Sequence, residues 1–409
     1  MISTIIKHAP VTFSSLVSLL LLCLPLESAE SPETRASDSH GEDDWEQLLL
    51  ESEELLEWSA DPLDDIVSEP AAMILWSVGL KAGAGSSDNF LKRLNPVSSS
   101  YATLEGDVFF NALLENSSFT ALLFGEVVEY NRQTEAGTEA IMFFNANWTR
   151  FAGAWAYGTE VDIFYGDQIF DASLDLAGIP EGESFRQLRP QFSLFTEWKP
   201  GRRDLLRLEA GLRRASFQDE TEDYWRPQVD FTWDRKISSS ISISTELSTY
   251  REFYDEERSR LPNGLLVSPP STLEIQGARL LQELVLEPAF LSGFKAIARL
   301  GYRWEDSLEG SHEDLTRLDA SLRCALKTAL VDVRATGRWQ NTRYDERQVG
   351  FIDLRTLRRT YRSLDLEVER DLPMGFSLVA RAEWSEFESR SEQETFSEER
   401  LEVLLGWAY

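Results

Sequence analysis

Leu401-Glu402-Val403-Leu404-Leu405-Gly406-Trp407-Ala408-Tyr409 closes the chain. Its odd positions are all apolar or aromatic, whereas its even positions mix Glu402 and Gly406 with Leu404 and Ala408. A period of two belongs to extended strand, in which successive side chains point to opposite faces. One face of this segment is therefore uniformly greasy and finishes in two aromatic rings. The same period runs back to the neighbourhood of Pro70: near the start, Ile74, Trp76, Val78 and Leu80 alternate with Leu75, Ser77, Gly79 and Lys81.

Between these two ends the alternation predicts about sixteen strands, near 72–82, 100–113, 117–130, 138–151, 154–165, 185–199, 203–217, 223–235, 237–252, 272–287, 292–305, 313–327, 329–344, 357–371, 374–389 and 396–409. Many exceed the roughly 9–11 residues that a tilted strand needs to cross a hydrocarbon layer. Their connections alternate in length. Tight turns at Asn116, Lys199-Pro200-Gly201, Arg235-Lys236, Lys327-Thr328 and Leu372-Pro373 take turns with longer polar segments such as 83–99, 166–184, 253–271 and 345–356. An up-and-down barrel of even strand number has this rhythm.

Tryptophan marks the strand ends. Trp148, Trp155, Trp198, Trp233 and Trp407 fall beside the short turns, and Trp225, Trp304, Trp339 and Trp384 fall towards the long loops. Two girdles of indole suit two membrane–water interfaces, where the ring is buried and its N–H stays wet. The parity of charge agrees. In 329–344, Val331, Val333, Ala335 and Trp339 oppose Asp332, Arg334, Thr336 and Arg338; in 374–389, Phe376, Leu378, Ala380, Ala382 and Trp384 oppose Arg381 and Glu383. A soluble barrel would fill its interior with the greasy set. A charged lumen therefore implies a lipid-facing exterior: an all-β, transmembrane, antiparallel barrel over 71–409. The strands at 117–130 and 272–287 alternate less cleanly than the rest.

Composition excludes other classes. The 409 residues carry a formal net charge of -30 and are 42% hydrophobic, so a nucleic-acid partner, which needs surplus Lys and Arg for phosphate, is not expected. Residues 1–29 read as an export signal: Lys7 and His8, then an apolar run through Leu19 to Leu22, then small Ser28 and Ala29. Residues 30–70 are an acidic preamble. Within it Trp45, Leu48, Leu49, Leu55 and Leu56 share one helical face, Asp43 and Glu46 form a capping box, and Asp61-Pro62 ends the pattern, which predicts a short amphipathic helix near 43–60. That helix is either a solvated linker or a periplasmic contact or plug.

The last strand also resembles the C-terminal signature of bacterial outer-membrane β-barrel proteins: alternating apolar residues, here Leu401, Val403, Leu405 and Trp407, ending in a terminal aromatic, Tyr409. The resemblance implies recognition by the barrel-assembly machinery, outer-membrane lipid and lipopolysaccharide as surroundings, and both termini in the periplasm. In size and strand count residues 72–409 are similar to general porins, which implies a homotrimer by analogy and leaves the solute open.

The inward parity supplies the chemical expectation. Arg189, Arg207, Arg213, Arg226, Arg299, Arg303, Arg323, Arg334, Arg338 and Arg381 share it with Glu209, Asp230, Asp319, Asp332 and Glu383, and cross-strand pairing of such charges would give a hydrated wall. In porins a basic wall faces an acidic loop folded into the bore. The resemblance makes Asp167, Asp171, Asp175, Glu181 and Glu183, between the fifth and sixth strands, the candidate constriction loop. Catalysis is not expected: the one barrel histidine, His312, lies in a polar loop, Cys324 shares the lipid-facing parity of Leu318, Ala320 and Leu322, and no phosphate loop, cofactor motif or metal-ligand cluster is visible. The expected function is a passive, porin-like channel for small hydrophilic solutes, anionic ones among them. The alternative is an envelope-assembly component, either an exit pore for an anionic polysaccharide or a scaffold docked through 43–60.

Overall fold

A computed structural model describes residues 73–408 apart from 91, 93–95, 132–136, 172–181, 219–221, 262–263, 290, 292, 311, 350–354 and 391–394; for 169–171, 182–185 and 348–349 it describes the backbone alone. The signal segment, the 43–60 helix, Tyr409, Asp175 and Glu181 lie outside the described residues.

Sixteen strands form one closed antiparallel barrel in which each pairs with its sequence neighbours and the last pairs with the first. They are β1 (Met73–Ser87), β2 (Ser99–Leu114), β3 (Ser117–Tyr130), β4 (Thr138–Ala152), β5 (Trp155–Asp171), β6 (Gly182–Trp198), β7 (Asp204–Phe217) and β8 (Tyr224–Ser238). The second half comprises β9 (Ile241–Arg258), β10 (Thr272–Leu286), β11 (Phe294–Ser307), β12 (Leu315–Lys327), β13 (Asp332–Val349), β14 (Arg355–Asp371), β15 (Phe376–Ser389) and β16 (Phe396–Ala408). Closure runs from Gly79 opposite Ala408 to Ser87 opposite Arg400. It leaves no strand edge exposed, the condition for burying a sheet in lipid.

Two features differ from the expectation. The turn expected at Arg235-Lys236 lies at 239–240, because a register irregularity between Lys236 and Ser238 carries β8 past it. Several strands also run on into segments read as loops: β1 to Ser87, β5 to Asp171, β9 to Arg258 and β13 to Val349. With 13 to 18 residues each, the strands are longer than a bilayer crossing requires, so the wall continues beyond the hydrocarbon on the long-loop side.

Which face looks inward follows from geometry. Arg381 on β15 bonds Glu105 on β2, and Arg400 on β16 reaches Glu139 on β4 at 3.6 Å; side chains on non-adjacent strands meet only across a concave surface. The opposite parity carries the exposed apolar residues. On β16 these are Leu401, Val403, Leu405 and Trp407, and on β14 Leu364 and Leu366. The nine strand-end tryptophans all stand on this outer face and are all exposed. In the short-turn girdle Trp155 stacks on Trp198 at 5.7 Å between centroids, and the Trp233 indole N–H donates to Asp204 at 3.2 Å. An apolar belt between two aromatic rims, around a charged interior, is the surface of a membrane-spanning barrel.

The inner face is tightly layered. Tyr250 on β9 lies across Gly277 on β10, where a Cβ would collide with the phenol ring. Glycine at this position lets one long inward side chain rest on the neighbouring strand.

Candidate lumen and its charge networks

All fifteen lumen candidates, Arg189, Arg207, Arg213, Arg226, Arg299, Arg303, Arg323, Arg334, Arg338, Arg381, Glu209, Asp230, Asp319, Asp332 and Glu383, stand on the inward parity of their strands. Many of them belong to networks, with Asp365 and Glu367 on β14 and with Glu105, Glu139 and Glu305 on other strands.

The first network centres on Arg381. Its guanidinium forks onto both oxygens of Glu105, donates through Nε to Glu367 at 2.7 Å, and lies 3.5 Å from Glu402. Glu367 also takes Arg334, which reaches Glu369 at 3.6 Å. One strand further, Arg400 donates to Glu398 at 2.6 Å, and Glu398 accepts the Ser87 hydroxyl at 2.7 Å. Glu139 accepts the Tyr130 hydroxyl at 2.8 Å. A planar, always-charged guanidinium with five donors is suited to holding several carboxylates at once.

The second network surrounds Tyr250. Its hydroxyl donates to Glu305 at 2.5 Å and accepts from Arg303 Nε at 2.6 Å, and the Arg226 guanidinium lies 3.5 Å from its ring centroid. Arg226 in turn lies 3.4 Å from Glu252. The third sits nearer the short turns, where Arg207 contacts Glu160 and Glu209, each at 2.6 Å, and covers the Phe195 ring at 3.9 Å. Arg299 faces Glu283 in the ladder and bonds it at 2.6 Å, while Arg338 meets Asp365 at 3.1 Å.

Charge is unevenly distributed around the wall. Among the described inward positions, β2 to β5 carry Glu105, Asp107, Glu126, Glu139, Glu160 and Asp162 and no base. On β11 to β13, Lys295, Arg299, Arg303, Arg317, Arg323, Lys327, Arg334 and Arg338 outnumber Glu305, Asp319 and Asp332. In a ring of sixteen strands these two arcs stand diametrically opposed. Arginines of the flanking strands neutralise the edges of the acidic arc: Arg381 and Arg400 at one side, Arg207 at the other. At the first of these edges Glu126 faces Glu105 in the β2–β3 ladder, so two carboxyl groups stand beside Arg381.

The lumen wall is less uniformly polar than the parity of the charged strands implies. Phe124, Phe143 and Phe164 form one inward row across β3, β4 and β5, flanked by Asp107 and Arg189, and Phe109 pairs with Leu122 beside it. On β3 the inward Leu122 and Phe124 make much of both faces apolar, which is why its alternation is weak in the sequence.

The acidic residues expected in a constriction loop are placed otherwise where the structure describes them. Asp167 belongs to β5, stands on the outward parity with Tyr165 and Ile163, and accepts Arg186 Nε at 2.8 Å. Asp171 and Glu183 are strand residues of β5 and β6, so the connecting segment shrinks to 172–181. His312 has Nε2 3.7 Å from Glu313. Among the described residues no group of His, Cys, Asp and Glu is arranged to hold a metal ion.

No protein-family model matches the chain, and no curated protein matches it. Solved structures similar to it share low sequence identity. The outer membrane protein OpdK from Pseudomonas aeruginosa is 10% identical, with a TM-score of 0.41 over 82% of this chain and 99% of its own. OccAB2 of Acinetobacter baumannii is 11% identical, with a TM-score of 0.43 over 82% and 98%. An anion-selective porin from Comamonas acidovorans is 8% identical, with a TM-score of 0.44 over 83% of this chain and 100% of its own.

Proposed function

We propose that the barrel is a passive, porin-like channel of a bacterial outer membrane for small hydrophilic solutes. The observation that carries this reading is the inversion of polarity: lipid-compatible side chains outside, ion-pair networks inside, on a wall with no open edge. The inward arginines and carboxylates named above line the path. The opposed acidic and basic arcs set up a field across it that orients dipolar solutes and disfavours apolar ones. Basic β11 to β13 offer anionic solutes a favourable side on which to pass.

Residues 1–29 act as the export signal and 30–70 remain in the periplasm, with the short turns and both termini on that side and the long loops outside. The C-terminal strand ending at Tyr409 is the segment read by the assembly machinery. A shallow depression on the outer wall, lined by Ala84, Ala380, Ala382, Leu366, Leu401 and Val403, supports close approach of a second copy in a homotrimer. Purified protein in planar bilayers tests the channel reading: it should give discrete ohmic steps. Correctly folded, heat-modifiable protein that inserts yet conducts at no voltage would overturn it. Sequencing the mature N-terminus tests the signal boundary.

A further inference from the structure

On the outer wall at the long-loop end, several charged residues come in opposite-sign pairs. Asp167 pairs with Arg186, Arg214 with Asp223 and Asp255, Arg251 with Glu274, and Arg362 with Glu386 and Glu388. A row of three arginines stands apart from these pairs. Arg343 on β13 stands directly opposite Arg358 on β14, and the backbone N–H of Arg390, just past β15, donates to the Arg358 carbonyl at 3.1 Å. All three are exposed. Arg390 donates to the Thr356 carbonyl at 2.9 Å, and among the described residues no carboxylate forms an ion pair with any of the three. Among the described residues, nearby acids include Glu386 and Glu388, already held by Arg362, and Asp345, two residues beyond Arg343.

Like charges directly opposite in a ladder repel, so a row of this kind gains from an anion that bridges it. Its height says which anion. Trp339, the long-loop-side indole on β13, precedes Arg343 by four residues, about 13 Å along the strand and roughly 10 Å above the hydrocarbon edge once tilt is allowed for. That is the level of lipid headgroups. Three neighbouring strands span roughly 10 Å, wide enough for more than one phosphate, and guanidinium binds phosphate through two parallel hydrogen bonds.

We propose that Arg343, Arg358 and Arg390 form a docking site for the phosphorylated headgroup of a glycolipid in the leaflet on the long-loop side. The site rests on the membrane-spanning reading above. It does not depend on whether the channel conducts.

The full chain, folded in detergent, is titrated with diphosphoryl lipid A and followed by native mass spectrometry, beside the same lipid stripped of its phosphates, phosphatidylglycerol, and inorganic phosphate as competitor. The triple variant Arg343→Ser, Arg358→Ser, Arg390→Ser serves as the comparison. Wild type should retain diphosphoryl lipid A at least tenfold more tightly than the variant, and at least tenfold more tightly than the dephosphorylated lipid. Equal retention by wild type and variant, or of both forms of the lipid, would overturn the site. Equal retention of phosphatidylglycerol, or displacement by millimolar inorganic phosphate, would overturn its assignment to a glycolipid headgroup. Heat-modifiability and insertion into vesicles are measured on the same samples: their loss in wild type strikes the membrane reading, whereas intact insertion with equal lipid retention strikes the site alone.

Discussion

Reversing one charge on the basic arc should move ion selectivity by an amount the wall geometry sets. Arg299 lies on β11 and bonds Glu283 on β10 at 2.6 Å, the two being direct ladder partners. In Arg299→Glu the wall changes by two units of charge. At about 10 Å from a permeating ion a unit charge contributes about 0.4 kcal/mol in water, screened to about 0.15 kcal/mol at 0.1 M salt. Two units acting with opposite sign on cation and anion shift their relative preference by about 0.6 kcal/mol, roughly threefold towards cations. At 0.01 M salt the Debye length grows to about 30 Å, and the same sum gives about 1.2 kcal/mol, or roughly sevenfold. The assay is the reversal potential across a planar bilayer under a salt gradient, at both ionic strengths. The control is the swap Arg299→Glu with Glu283→Arg, which returns the net charge of the row and should return the wild-type potential. An unchanged potential at low salt in the single variant, or a swap that shifts it equally, would refute the claim that this row faces the permeation path.

Other perturbations probe the wall itself. Arg placed at Leu366, in the middle of the outward apolar belt of β14, should cost about 2–4 kcal/mol of folding stability in vesicles, read from urea unfolding, while Asp365→Asn on the inward parity should cost less. Gly277→Val drives a side chain into the Tyr250 ring and should lower the unfolding free energy by about 1–3 kcal/mol, seen as a lower heat-modifiability midpoint on gels. Tyr250→Phe removes the hydroxyl between Arg303 and Glu305 but leaves their direct 2.9 Å bond, so about 1–2 kcal/mol should be lost in the same assay. Cys324, on the outward parity of β12, should resist a charged maleimide in vesicles and react once the barrel is unfolded; ready labelling of the inserted protein would place it off the lipid face.

Strand number, order and facing were legible because lipid and water impose opposite demands on the two sides of one wall. Val403 and Glu402 are adjacent in sequence and can satisfy those demands only by pointing opposite ways. The signal fades where the demands fade. Beyond the hydrocarbon both faces meet water, so Asp345-Glu346-Arg347 and Tyr254-Asp255-Glu256 read as loop although both continue strands. Asp167 suffered the same misreading: an acidic residue near a strand end suggested a loop, whereas its outward partner Arg186 across the ladder keeps it in the wall. On β3 the difficulty was the reverse, since Leu122 and Phe124 face inward and blur the period from the other side.

The lumen networks were less legible than the strands, and the reason is topological. Parity tells which side Arg381 points to, but its partners lie on β2, β14 and β16, at positions 105, 367 and 402. Closure of the barrel brings the first strands beside the last, and no local pattern encodes which carboxylate of a distant strand ends at the same height. The same closure gives the charge asymmetry its meaning. Along the chain, a run of acid-bearing strands followed much later by base-bearing ones is only a gradient of composition. Wound into a ring of sixteen, the two runs come to face each other, and a difference in sequence position becomes a potential difference across the bore.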